Sequence, residues 1–186
     1  MLKTLRQIAS IGIVTEPAPT ADESLRMRPQ LQERILAVLG TALCIRHVDA
    51  GSCNGCELEI HALSNPLYNL EGLGIRFVAS PRHADMLLVT GPVSRHMEVA
   101  LRRTYEAMPD PKLVVALGDC GCTGGVFGES YASRGRVSNV IPVDVAIPGC
   151  PPSPIRILQG ILAALSSSPH RRGGAIAPEV PADSRS

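Results

Sequence analysis

The chain has 186 residues with 45% hydrophobic and 19% charged side chains, so it is long enough for a folded core and too apolar for wholesale disorder. Three tyrosines, two phenylalanines and no tryptophan argue against a nucleic-acid binder that stacks bases, and a net charge of +1 argues against a polyanion-binding surface. Six cysteines are more than a core of this size needs as staples.

Residues 1–14 read as a short amphipathic helix, with Leu2, Leu5, Ile8 and Ala9 on one face and Lys3, Arg6 and Gln7 elsewhere on the wheel. That face has no evident core to join, which suggests a docking helix; the plainer reading is a frayed terminus. Glu16 to Ala21 (EPAPTA) is a linker whose prolines discourage helix, and residues 22–40 run from mixed charges into an apolar stretch that suits one. From Thr41 a domain begins. Ala42–Val48 reads as a strand, followed by the loop DAGSCNGC and a helix over about 57–70. Ile75–Ala79 is a short strand, and Met86–Thr90 (MLLVT) and Leu113–Leu117 (LVVAL) are continuous apolar ones. Ser94–Met108 is a helix ended by Pro109 and Pro111, and the strand at 113–117 opens into the loop GDCGCTGGVFG. Val143–Ile147 is a strand running into PGCPPSP, and Ile155–Leu165 is a closing helix. From Ser166 the composition is that of a disordered tail. The expected layout is a docking helix and linker at 1–40, a folded domain at 41–165 and a tail at 166–186.

Apolar strands alternating with helices predict an α/β domain, a parallel sheet with helices on both faces. The best membrane candidate, ILAVLGTALCI at 35–45, is far short of the roughly 20 apolar residues a span needs. The N-terminus MLKTLRQIAS lacks a continuous apolar region, a cleavage site and a paired arginine, so the expected compartment is the cytoplasm. Thiols there are kept reduced, and six of them point to metal or redox chemistry.

Position sharpens this. Cys53 and Cys56 follow the first strand, Cys120 and Cys122 follow LVVAL, and Cys150 follows the last strand. In a parallel sheet these loops all leave at the carboxyl edge, so three segments distant in sequence meet in one place. Four thiolates hold either zinc or an iron–sulfur cluster. Structural zinc favours one CxxC answered by another, whereas here single cysteines answer at distances of about 65 and then 30 residues. Glycines such as Gly55, Gly118, Gly124, Gly125 and Gly149 crowd these loops, giving the backbone room to approach and aim N–H groups at sulfur. The pattern favours a cluster. Cys44, inside the first strand, reads as a small core residue, and spacing alone does not separate Cys120 from Cys122.

The blocks GSCNGCELEI (51–60), ASPRHADMLLVTGPV (79–93), GDCGCTGG (118–125) and IPVDVAIPGCPPSP (141–154) together resemble a known family. It comprises the 20 kDa cluster-bearing subunit of complex I, the NADH-quinone oxidoreductase, and the small subunits of membrane-bound, energy-converting [NiFe] hydrogenases. The resemblance, over about Val48 to Leu165, implies a flavodoxin-like domain with one [4Fe-4S] cluster on Cys53, Cys56, Cys120 and Cys150. Cys120 is preferred over Cys122 because three residues separate it from a Gly-Gly pair, as in the family motif. The Cys53-Asn54-Gly55-Cys56 spacing resembles the hydrogenase branch, where complex I subunits have adjacent cysteines. Without a twin-arginine leader or a further cluster domain, the chain looks most like the formate-hydrogenlyase type. The implied partners are a large NiFe-hydrogenase-like (49 kDa-like) subunit, a ferredoxin-like iron–sulfur subunit and membrane-embedded subunits, with no nucleic acid. The implied location is peripheral, on the inner face of the cell membrane.

Near this site, Glu57 and Glu59 read either as a proton route or, more plainly, as solvated carboxylates favoured by a helix N-terminus. His47, His61, His83 and His96 read as surface or interface residues, and Arg82 as structural. Two rivals remain: a complex I-like quinone oxidoreductase subunit with no nickel partner, and a zinc-stabilised scaffold. A flavin site is disfavoured by the cysteines in the phosphate loop and the scarcity of aromatics.

Overall fold

The strands form where the chain is apolar without interruption. In the computed structural model, which describes residues 29–33, 35 and 41–167, β1 spans Leu43–Asp49, β2 Ile75–Phe77, β3 Met86–Thr90, β4 Leu113–Leu117 and β5 Val145–Ile147. All pair parallel, in the order β2-β1-β3-β4-β5. Every residue of β3 and β4 is buried, as expected of central strands covered on both faces. This order is the flavodoxin-like one, whose reversal point lies between β1 and β3.

Two carboxylates tie neighbouring strands together at the amino edge. Cys44 N donates to Asp85 Oδ2 at 2.9 Å, and Val114 N donates to Asp144 Oδ2 at 2.8 Å. Each aspartate precedes a strand and accepts from the amide of the second residue of a neighbouring strand, whose first amide goes to a backbone carbonyl.

Between the strands lie α1 (Gly55–Ala62), α2 (Arg95–Ala107), α3 (Gly118–Thr123) and α4 (Pro154–Ser167). One face of the sheet presents Ile45, Leu88, Val115 and Ile147 to α1 and α4, whose Ile60, Ile157, Leu158, Ile161 and Leu165 complete that core. The other face presents Leu87, Val89, Val114 and Ala116 to Leu101 of α2 and to the loop residues Val137, Val140 and Ile141. Ser94 starts α2, its Oγ accepting from Met97 N at 3.3 Å.

Several boundaries differ from expectation. The helix expected over 57–70 begins at Gly55 and ends at Ala62, because Asn65 Oδ1 accepts from the amides of Leu67 and Tyr68 and diverts the chain into turns. The loop expected after LVVAL starts with the six-residue helix α3. Helix α4 continues to Ser167, past the expected start of the tail at Ser166. Residues 29–33 and 35 are helical, and Leu31 and Ile35 are buried in the α1–α4 core, so the folded unit begins before residue 41. The expected helix at 1–14, the linker at 16–21 and the tail beyond 167 lie outside the described residues. Among the described residues, no helix is long and apolar enough to cross a membrane.

Candidate metal centre

Because all five strands run the same way, the loops after β1, β4 and β5 emerge together, and they carry Cys53, Cys56, Cys120, Cys122 and Cys150. The first loop is shaped by Asp49 at the end of β1. Its Oδ1 accepts from Gly51 N and Ser52 N, both at 2.8 Å, and Asn54 N donates to Ser52 Oγ at 3.1 Å. Burial alone would raise the Asp49 carboxyl, but the amides of Ser52 and Gly51 outweigh it and hold the group below the usual carboxylate range. Asn54 then takes a left-handed conformation, with φ 72°, and places Cys56 in the first turn of α1.

The second loop separates its two cysteines by helical geometry. Two positions apart on α3, Cys120 and Cys122 lie on opposite sides of the helix. Cys122 packs against the α2-side core, and its Sγ donates to Ala116 O at 3.5 Å. Cys120 instead faces Cys53 and Cys150, whose negative charge adds to burial in raising its pKa. Cys150 is exposed on the third loop, one residue after Gly149, which pairs twice with Asp119.

Cys56 feels all of its neighbours. Burial, then the charges of Glu57, Cys120, Cys53 and Cys150, push its thiol up to about 12. Four of the six cysteines therefore share one edge, Cys56 and Cys120 half-buried, Cys53 and Cys150 exposed. Glycine makes room for them. A Cβ on Gly118 would stand 2.6 Å from Cys56 Sγ, and one on Gly125 would stand 2.8 Å from Cys120 Sγ. Both glycines have positive φ, at +82° and +55°. Among the described residues, no group of three or more His, Cys, Asp or Glu side chains is already arranged to hold a single metal ion.

Glu57 departs from the expectation of a solvated carboxylate. It is 8% exposed, and Thr90 Oγ1 donates to its Oε1. Since that hydroxyl has one proton, Thr90 Oγ1 accepts from His47 Nε2–H at 2.9 Å, which sets the tautomer of His47. Burial pulls His47 below its ordinary value of 6.5, against the opposing pull of Glu57 and Asp49. The sequence points to no such chain, because Thr90 reads only as the last residue of an apolar strand. Glu59 is half-buried, while His61, Arg82, His83 and His96 are exposed. Cys44 is half-buried in β1 and not fully inside the core, its Sγ donating to Ala42 O at 3.8 Å.

The sequence profile described as NADH ubiquinone oxidoreductase, 20 Kd subunit, matches residues 53–164, from the first cysteine of the edge into α4. The chain belongs to that family. It is 44% identical over 155 residues to the probable membrane-bound hydrogenase subunit mbhJ of Pyrococcus furiosus, covering 82% of this chain and 93% of that one. It is 42% identical over 171 residues to formate hydrogenlyase subunit 7 of Escherichia coli, covering 90% of this chain and 66% of that one. Among solved structures it resembles a chain of the membrane-bound sulfane sulfur reductase, an archaeal respiratory membrane complex. There the TM-score is 0.61 at 32% identity, over 81% of this chain and 78% of the other. Membership in the 20 kDa family makes this an oxidoreductase subunit, and the named relatives belong to hydrogenase or respiratory assemblies.

Proposed function

We propose that the chain carries one [4Fe-4S] cluster on Cys53, Cys56, Cys120 and Cys150. Through it, electrons pass between the nickel–iron site of a large, 49 kDa-like hydrogenase subunit and a ferredoxin-like iron–sulfur subunit. The assembly sits with membrane-embedded subunits, this chain lying peripherally on the inner face of the cell membrane. The observation carrying the reading is the convergence of four cysteines from three loops on one sheet edge, with Cys122 turned away into the core. When bound, such a cluster supplies one-electron transfer at a potential adjusted by its surroundings.

The donor set suits that group. Burial and neighbouring negative charge push the Cys56 thiol up, so it gives up its proton only to a coordinated metal cation, iron or zinc alike. Structural zinc favours one CxxC answered by another, whereas here one CxxC is answered by single cysteines from two other loops. The burial is graded as a relay requires, Cys56 and Cys120 at the base and Cys53 and Cys150 open towards a partner. The chain's share of the work is to hold the cluster, exclude water from its base and present its exposed side for electron exchange.

The test is anaerobic purification of the intact complex with metal counting and EPR. About four irons per chain and a reduced-state signal are expected, as a cubane requires. A colourless preparation with one zinc and no iron overturns the reading. The 20 kDa family name itself favours a second reading, a quinone-reducing assembly with no nickel in its large subunit. The hydrogenase reading draws on two relatives that cover 82% and 90% of this chain. Nickel in the purified complex separates the two.

A further inference from the structure

We infer that Asp119 is a positioning residue that ties the Cys120 loop to the Cys150 loop and sets the separation of two cluster ligands. This rests on the cluster reading above and adds to it a residue that is not a ligand. Asp119 stands immediately before Cys120 on α3, and Gly149 immediately before Cys150 at the end of the β5 loop. The two residues exchange a reciprocal pair of hydrogen bonds. Asp119 N donates to Gly149 O at 2.9 Å, and Gly149 N donates to Asp119 Oδ1 at 2.7 Å. The second bond is short and charge-assisted.

This carboxylate reaches from one cysteine loop to another. Asp49 also organises a cysteine loop, but through Gly51 and Ser52 of that same loop. Strands β4 and β5 pair only from Val115–Val145 to Leu117–Ile147, so the ladder stops before either cysteine. Beyond it, the Asp119–Gly149 pair continues the tie between the two segments and hands it directly to Cys120 and Cys150. A backbone pair alone would do part of this. The carboxylate adds the bond that fixes Gly149 N, and it adds a negative charge one residue from a ligand.

These two contributions separate in two substitutions. In Asp119→Ala, Gly149 N loses its acceptor. In Asp119→Asn, Oδ1 still accepts from Gly149 N while the charge is gone. Each variant is purified in its native complex, without air, beside the wild type. Iron content, the rate of iron loss to a chelator, the reduced-state EPR spectrum and the cluster midpoint potential are then compared. For Asp119→Ala the expected result is iron loss about ten-fold faster, the effect of one stranded amide, with a changed EPR line shape. For Asp119→Asn the expected result is iron retention and line shape close to wild type with a midpoint potential shifted upward, because removing a nearby negative charge favours the reduced cluster. That split, retention restored by the conservative variant while the potential moves, is not produced by a general loss of folding.

Wild-type iron retention in Asp119→Ala overturns the inference. Equal iron loss in both variants also overturns it, since the acceptor would then be irrelevant. An unshifted potential in an iron-replete Asp119→Asn complex overturns the electrostatic half. A wild-type complex without iron overturns the cluster reading, and this inference with it, and is distinguished from the other outcomes by the wild-type preparation alone.

Discussion

Thr90→Val tests whether the His47–Thr90–Glu57 chain is as tight as its geometry indicates. Thr90 is fully buried, and valine keeps its shape while deleting the hydroxyl that donates to Glu57 and accepts from His47. Glu57 Oε2 is already buried without a hydrogen-bond partner, so the substitution leaves the carboxylate no hydrogen bond and only the His47 Nε2 contact to Oε1 at 3.7 Å. A hydrogen bond to a charged group contributes about 1.5–3 kcal/mol, and the orphaned His47 donor adds roughly 1 more at a half-buried position. The expected loss is about 2–4 kcal/mol, or about 4–16 °C in Tm for a chain of this length. Urea midpoints and thermal melts of the full chain, followed by circular dichroism without air, give both numbers. Thr90→Ser keeps the hydroxyl and loses one methyl, and should fall by only about 1 kcal/mol. In a Thr90→Val/Glu57→Leu double variant the stranded charge is gone, so much of the loss should return. A Thr90→Val chain within about 0.5 kcal/mol of wild type would refute the reasoning, because a buried, shared hydroxyl cannot be deleted at so small a cost.

Three other outcomes follow from the site. Cys120→Ser should lose the reduced-state EPR signal, while Cys122→Ser should keep it, since the Cys122 side chain is directed at Ala116 O; loss in the Cys122 variant alone reverses the assignment. Gly118→Ala places a methyl 2.6 Å from Cys56 Sγ, so iron content should fall well below half in the purified complex, while Gly128→Ala, which carries the same kind of backbone strain at φ +52° but has nothing within 4 Å, keeps it. The third outcome concerns pH. The folded-state pKa of His47 is lowered, so below 6.5 the unfolded chain binds the proton more readily and stability falls as pH falls towards the folded value. Urea midpoints measured from pH 7.5 to 5 should show that decline, and His47→Gln, which cannot titrate, should reduce it; an unchanged slope assigns the decline to other groups.

Much of this arrangement is legible in the sequence. MLLVT and LVVAL are apolar at every position but one, and a strand with both faces covered reads no other way. Cysteines placed just after strands were bound to meet once the sheet was parallel. Harder to read is α3, which has two glycines in six residues and little intrinsic helical tendency. Contacts hold it instead, with Thr123 Oγ1 donating to Asp119 O at 2.9 Å and Asp119 pairing with Gly149. Read as a loop, GDCGCT leaves Cys120 and Cys122 equivalent; read as a helix, it sends them to opposite sides. Glu57 escapes sequence reasoning for a related cause. Its burial depends on a threonine 33 residues away, and nothing local in CELEI announces that partner.

Asp85 and Asp144, at the amino edge, are a strand's length from the thiols, about 17 Å for five residues. Were a strand to slip by one residue against its neighbour, its carboxyl-edge loop would advance by about 3.3 Å, more than a metal–sulfur bond can absorb. On the cluster reading proposed above, the placement of the ligand loops thus depends partly on residues that never approach them. Substitutions at that far rim offer a means of displacing a redox centre along its path while leaving its immediate surroundings chemically intact.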